Sequence, residues 1–178
     1  AVCTMPLLRV KELTYIADRA KVTLALCDAR VVDECERAMA VREDGTPRQY
    51  ARVVHFHSDR SDSLDTLLRD KPTTFTNCDT AAEDIALIAF TSGTTGRGKG
   101  TMHAHRDVMA ITDCFPRYVL KARPDDIFCG SPPLAFTFAL GGLLLFPRRS
   151  GASGVWVGQA SPPQLMEAIH GYRPTVCL

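Results

Sequence analysis

The sequence has no apolar run long enough to span a bilayer, no excess of one charge, and no CxxC cysteine pair. A membrane helix needs roughly 18 or more consecutive apolar residues. The longest greasy stretch here, Leu134–Pro147, is shorter and is interrupted by Thr137, Gly141 and Gly142. The start of the chain has no charged segment leading into an apolar core, so no signal peptide is read there. Lys and Arg total 21 against 20 Asp and Glu, a net charge of +1. Without a basic stripe there is no footprint for nucleic acid. Neither a nucleic-acid nor a membrane partner is expected. The seven cysteines, at 3, 27, 35, 78, 114, 129 and 177, are odd in number, and several lie in apolar runs such as Leu24–Cys27. That argues against a zinc site and for buried, reduced thiols in a cytoplasmic protein. His55 and His57 are placed on one face of a candidate strand, but no third ligand is evident, so no metal site is assigned. The single tryptophan, Trp156, is expected in the core.

What is present is an ordinary globular composition, 46% hydrophobic and 23% charged in 178 residues, enough for one domain with a sizeable core. The chain begins at Ala1 in an apolar run and stops at Thr175-Val176-Cys177-Leu178, which reads as a strand cut in mid-course. Natural termini are usually polar and frayed, so the chain is expected to be a piece of a longer protein.

Short β-rich runs alternate with helical patterns. The candidate strands are Leu24–Cys27, Val53–His57, Ile85–Thr91, Ile127–Gly130, Gly154–Val157 and Thr175–Leu178. Val10, Leu13, Ile16, Ala17 and Ala20 share one helix face, as do Val108, Ile111, Phe115, Tyr118 and Val119. Pro116 should kink or end the second helix. Pro162–His170 has Ser161 as N-cap, Pro162 at the first helical position and Gly171 just past the end. Arg42–Arg52 and Lys71–Asp84 read as loops. Alternation of this kind predicts an α/β fold with a largely parallel sheet flanked by helices. No internal domain boundary is visible.

One segment carries chemistry. The apolar run Ile85–Phe90 leads into Thr91-Ser92-Gly93-Thr94-Thr95-Gly96-Arg97-Gly98-Lys99-Gly100, which packs four hydroxyls, four glycines and a lysine into ten residues. Glycines let the backbone turn tightly and approach a ligand. Backbone N–H groups and the hydroxyls of Ser92, Thr94 and Thr95 can donate to phosphate oxygens, and Lys99 supplies a compensating charge. These parts suit a polyphosphate.

Two patterns compete for the loop. Gly93, Gly98 and Lys99 fit a Walker-type P-loop of an NTPase, but Gly100 stands where the Mg²⁺-holding Ser or Thr should be, and glycine opens a helix poorly. The loop resembles more closely that of the adenylate-forming (AMP-dependent synthetase and ligase) superfamily, T-S-G-[ST]-T-G-x-P-K-G. Thr91 to Arg97, Lys99 and Gly100 match it in order; Gly98 replaces the usual Pro. The resemblance continues through Met102-His103-Ala104-His105-Arg106 and through Ser131–Gly142, which is similar to a P-L-F-H-x-x-G core motif, with Phe136 at the aromatic or His position and Ala139 in place of a Gly. Met5–Leu13 and Leu24–Asp28 resemble the aryl-acid branch, in the style of 2-aminobenzoate– and benzoate–CoA ligases.

The resemblance implies that residues 1–178 are part of the large N-terminal AMP-binding domain of an acyl-CoA synthetase, with the rest of that domain and the C-terminal domain lying beyond them. It implies ATP, Mg²⁺ and CoA as cofactors, an aromatic carboxylic acid as substrate, and AMP and pyrophosphate as products; a carrier-protein phosphopantetheine is the other possible acceptor. By that match Lys99 and Thr94 are catalytic. Thr91, Ser92, Gly93, Thr94, Thr95, Gly96, Lys99 and Gly100 hold the nucleotide, and Phe136 and Thr137 line the acid pocket. The Mg²⁺ ligand is expected outside this chain, since no Thr-Glu pair occurs in it and Lys121 is the only lysine after the loop. The 178 residues alone are therefore expected not to complete the reaction.

Overall fold

The computed structural model describes residues 1–91, 97–158 and 160–178. Helix α1, Val10–Arg19, starts where the Glu12 carboxylate reaches back to accept the Arg9 backbone N–H at 3.2 Å, and it buries Thr14, Ile16 and Ala17. Strand β1 (Leu24–Asp28) follows, then a 3₁₀ turn (Ala29–Val31), helix α2 (Val32–Ala40), strand β2 (Arg52–Phe56) and the short helix α3 (Leu64–Leu68), capped by the Ser63 hydroxyl. β1 and β2 pair in parallel, Leu24 opposite Arg52 through Asp28 opposite Phe56. Parallel strands need a crossover, and α2 supplies it.

The second half opens with β3 (Ile85–Phe90), hydrogen-bonded to β4 (Gly100–Ala104). Helix α4 (His105–Phe115) follows and passes into a π-helical turn at Pro116–Leu120. The missing N–H of Pro116 ends the α-helix where the sequence predicted, and Lys121 closes the turn in the left-handed conformation at φ 53°. Strand β5 (Ile127–Gly130) leads to a helical run comprising α5 (Thr137–Ala139), a π turn (Leu140–Leu145) and α6 (Phe146–Ser150). Then come β6 (Ser153–Trp156), α7 (Pro162–Tyr172) and β7 (Val176–Cys177). The sheet order is β6-β5-β7, both pairings parallel, and the central β5 buries Phe128 and Cys129 completely. The α/β fold with mostly parallel pairing is the one expected.

The chain forms two compact units, Thr4–Thr80 with Phe90–Gly100, and Ala1–Cys3 with Ala81–Ala89 and Thr101–Leu178. The sequence shows no boundary because the division is discontinuous: the chain passes between the units several times, once within the Lys71–Asp84 loop and again at both ends of the glycine-rich loop. The first unit has its core at Ile16, Ala17, Ala38, Met39 and Val54. The other centres on Ala104, Phe128, Cys129, Leu143, Phe146 and Ala168.

Several local expectations are corrected. Gly171 lies inside α7, which ends two residues later on the left-handed Arg173. Ser161 is at the N-cap, but its hydroxyl bonds to the Gln164 side chain rather than to the helix backbone. Trp156 is 55% exposed, with its indole N–H donating to the Leu143 carbonyl at 2.9 Å; a strand at the edge of the sheet leaves its face open. Of the seven thiols only Cys129 is fully buried; Cys3, Cys78, Cys114 and Cys177 are exposed. Apolar neighbours in sequence placed cysteines on strands and helices but could not say which face they occupy. β2 stops at Phe56, and His57 turns to φ 56° with its Nδ1 2.9 Å from an Asp28 oxygen. His55 remains buried, 3.7 Å from Asp62. No cluster of three or more metal-ligating side chains occurs among the described residues.

Candidate functional site

The chain enters the glycine-rich loop from β3 and leaves it into β4. Ile85–Phe90 is an unbroken apolar run and forms the strand for that reason. Met102–Arg106 does enter a helix, α4, which begins at His105; ahead of it Gly100–Ala104 forms a strand because β3 offers it a partner. The helix is oriented by backbone and carboxylate contacts: Asp107 accepts the Ala104 N–H at 2.8 Å, and His105 N–H donates to the Asp84 carbonyl at 3.0 Å. Neither His103 nor His105 caps it through its imidazole. A Walker loop requires a helix opening at the lysine. Lys99 instead sits in irregular backbone directly before a strand, which sets the NTPase reading aside.

Of the predicted site residues, Ser92, Gly93, Thr94, Thr95 and Gly96 lie outside the described residues. Thr91, Lys99 and Gly100 are brought together at the mouth of the loop, all three exposed. Thr91 N–H donates to the Lys99 carbonyl at 3.0 Å. Lys99 N–H donates to Thr91 Oγ1 at 3.2 Å. The Thr91 hydroxyl thus accepts from the loop's returning arm and, among the described residues, donates its own proton to no partner. Gly98 is required here by space. A Cβ built on it would lie 2.5 Å from the Thr91 carbonyl oxygen, so no side chain fits unless the arm moves.

The two cations of this arm are used differently. Arg97 forms an ion pair with Glu43 at 3.1 Å and lies 5.3 Å from the centre of the Tyr15 ring. Among the described residues Lys99 makes no ion pair. Of the two cations, only Arg97 is thus engaged in an ion pair among the described residues. Tyr15 donates its hydroxyl to the Gly98 carbonyl at 2.8 Å. Tyr15 and Glu43 were not singled out in the sequence. Tyr15 stands 83 residues before Gly98 and Glu43 lies in a loop, and nothing in their local pattern marks them.

Phe136 and Thr137 belong to the other compact unit. Phe136 is the extended N-cap residue of α5, and Thr137 is the first helical residue. Both are exposed, Phe136 by 47%. A cavity of about 420 Å³ in that unit is lined by Thr112, Asp113, Arg117, Lys121 and Arg149 and contains none of the predicted site residues.

β3 thus leads through Thr91 to a returning arm that carries the exposed Lys99 and runs into β4. The chain belongs to the AMP-binding enzyme family, whose profile matches residues 1–178. It is 30% identical over 116 residues to the benzoate–CoA ligase of Thauera aromatica, covering 65% of this chain and 22% of that protein. It is 32% identical over 94 residues to the anthranilate–CoA ligase of Pseudomonas aeruginosa, covering 51% of this chain and 18% of that one. Among solved structures, the anthranilate–CoA ligase AuaEII in complex with anthranoyl-AMP superimposes with a TM-score of 0.87 at 27% identity, over 99% of this chain and 34% of that one. The chain therefore spans about a fifth of the length of these curated relatives. No helix among the described residues is long and apolar enough to cross a membrane.

Proposed function

We propose that this chain is part of the AMP-binding domain of an AMP-forming acid–CoA ligase, and that it contributes the loop that holds the phosphates of ATP while an aromatic carboxylic acid, of the benzoate or 2-aminobenzoate class, is activated. The observation that carries this reading is the loop itself: Thr91 and Lys99 bound to each other at its mouth, with the Lys99 charge uncommitted among the described residues. The aryl relatives above support the choice of acid.

The chemistry follows from the weakness of a carboxylate as an electrophile. A carboxylate oxygen attacks the α-phosphorus of ATP, the α–β P–O bond breaks, and pyrophosphate leaves with the electron pair. The thiolate of CoA then attacks the acyl carbon and AMP leaves. Lys99 and Thr94 offset the negative charge gathering on the departing phosphates, and fixed donors of this kind are worth about 10²–10³ in rate each. Thr91, Ser92, Gly93, Thr95, Gly96 and Gly100 hold the β- and γ-phosphates, and Phe136 and Thr137 form the wall of the acid pocket. Mg²⁺ bound with the nucleotide would neutralise phosphate charge, and the carboxylate that would hold it is expected outside this chain. The cytoplasm, where thiols stay reduced, is the compartment that suits the free cysteines.

The test uses the full-length protein with benzoate, 2-aminobenzoate, acetate and a long-chain fatty acid, and measures AMP, ADP, pyrophosphate and phosphate. AMP and pyrophosphate with the aryl acids are the expected products. ADP and phosphate would overturn the reading, and turnover of acetate or fatty acid alone would remove the aryl assignment. A phosphopantetheinylated carrier protein added in place of CoA decides the acceptor. Lys99→Ala should weaken ATP use by about 1.5–3 kcal/mol through loss of a charge-assisted contact.

A further inference from the structure

We propose that Tyr15 is a positioning residue for the phosphate loop: its hydroxyl, with the Arg97–Glu43 ion pair beside it, locks the peptide plane from which the Lys99 side chain departs. The inference rests on the loop's reading as a phosphate site and names the device that holds it.

The argument begins with one peptide unit. The carbonyl of Gly98 and the N–H of Lys99 belong to the same planar group and point in opposite directions. The carbonyl accepts the Tyr15 hydroxyl at 2.8 Å in a half-buried setting. The N–H donates to Thr91 Oγ1 at 3.2 Å. The plane is thus held at both ends, once by the residue that enters the loop and once by a helix residue 83 positions earlier. Rotating the peptide breaks both bonds together. Glycine has the largest backbone freedom to lose, so an arm hinged at Gly98 needs an outside anchor to present Lys99 in one place.

The anchor is itself fixed. Tyr15 sits on α1 with its ring edge-on to Phe90, the last residue of β3, at a centroid distance of 6.2 Å and an interplanar angle of 75°. The guanidinium of Arg97 lies 5.3 Å from the ring centre and that of Arg19 lies 5.8 Å from it. Cations over an aromatic face are attracted by its quadrupole. Glu43 holds Arg97 from its other end at 3.1 Å. Every one of these groups lies within the same compact unit. The arrangement also sorts the two cations, engaging Arg97 in the latch and leaving Lys99 for the ligand.

The test compares Tyr15→Phe, which keeps the ring and deletes only the hydroxyl, with the unchanged full-length protein. Losing one hydrogen bond should raise the KM for ATP about two- to tenfold and leave the KM for the acid unchanged. Without nucleotide, trypsin should cut after Arg97 and Lys99 faster by a similar factor, with cleavage elsewhere unaltered. Arg97→Met, which deletes the trypsin site at 97, should raise the KM for ATP and speed cleavage after Lys99 more weakly, and it serves if Tyr15→Phe folds poorly. Unchanged cleavage at the arm would overturn the latch whatever the kinetics show. A lower melting temperature or active fraction with both KM values unchanged would reduce Tyr15 to a structural residue and also overturn it. Lys99→Ala separates the two claims. If it raises the KM for ATP and Tyr15→Phe does not, the latch fails alone. If Lys99→Ala leaves ATP use unchanged, the phosphate reading of the loop fails.

Discussion

The unit built on Thr4–Thr80 is fastened by polar contacts, and the unit built on Thr101–Leu178 by close packing around β5. In the first, the Arg48 side chain is only 7% exposed, and its guanidinium meets Asp18 at 2.6 Å and the Val41 carbonyl at 3.2 Å. Arg30 and His57 converge on Asp28 and hold its carboxyl well below the usual carboxylate range, chiefly through the Arg30 hydrogen bond. Tyr15 holds the loop arm. In the second, Phe128 and Cys129 are sealed, and Gly130 has no room for a side chain: a Cβ there would lie 2.4 Å from the Leu178 carbonyl and 3.0 Å from a Leu143 methyl. The difference teaches where each unit is fragile. One fails when a charge loses its partner, the other when a methyl group is added.

The largest effect should come from Asp18→Ala, which strands the nearly buried Arg48 charge. Removing one partner of a buried pair costs about 3 kcal/mol, read as a lower denaturation midpoint. An effect under a third of that would show that water reaches Arg48 and would blur the contrast between the units. Gly130→Ala follows, at about 2 kcal/mol for forcing a methyl into a packed site. A neutral result would mean that Leu178 yields freely and that packing is not what fastens the second unit. Gly171→Ala should go the other way. Nothing stands within 4 Å of a Cβ there, and the position is inside α7, so alanine should raise stability by about 0.5–1 kcal/mol. Thermal melts of the three variants side by side test the ordering.

The smallest effect at neutral pH concerns Cys35 in the polar unit. Burial pushes its thiol up to about 12 from an ordinary 9.0. A raised folded-state value gives stability that is fully present below the unfolded value and lost as pH rises through the folded one. Stability should therefore hold to about pH 9 and decline toward pH 12. Denaturation midpoints across that range should lose part of their slope in Cys35→Ala; an identical slope would clear this thiol. The exposed Cys3 and Cys78 should react with a thiol reagent faster than Cys35, because the thiolate is the reactive form.

Much of the α/β frame was legible because it is written in local periodicity. Ile127–Gly130 and Leu24–Cys27 are compact apolar runs, and α1 shows one apolar face, so each falls within a residue of its expected place. α2 and α3 were passed over: α2 is dominated by charged residues, and α3 is a single short turn held by its Ser63 cap. Strand β4 was hidden for a different reason. Gly100-Thr101-Met102-His103-Ala104 has little strand character alone, and it becomes a strand only by pairing with β3.

The site divides along the same line. The amino-acid sequence alone shows which groups the loop carries, since four glycines, four hydroxyls and Lys99 in ten residues after an apolar strand are a local pattern. It also placed the chain in its family through the order of Thr91 to Gly100. Folding in three dimensions adds that a Cβ at Gly98 would collide with the Thr91 carbonyl, that Arg97 is engaged by Glu43 while Lys99 makes no ion pair among the described residues, and that Tyr15 reaches the arm. These facts depend on contacts between α1, the Arg42–Arg52 loop and residues far along the chain. A hydrogen bond across 83 residues leaves no trace in the spacing of its neighbours, because periodicity reports which face of an element is buried and not what it is buried against.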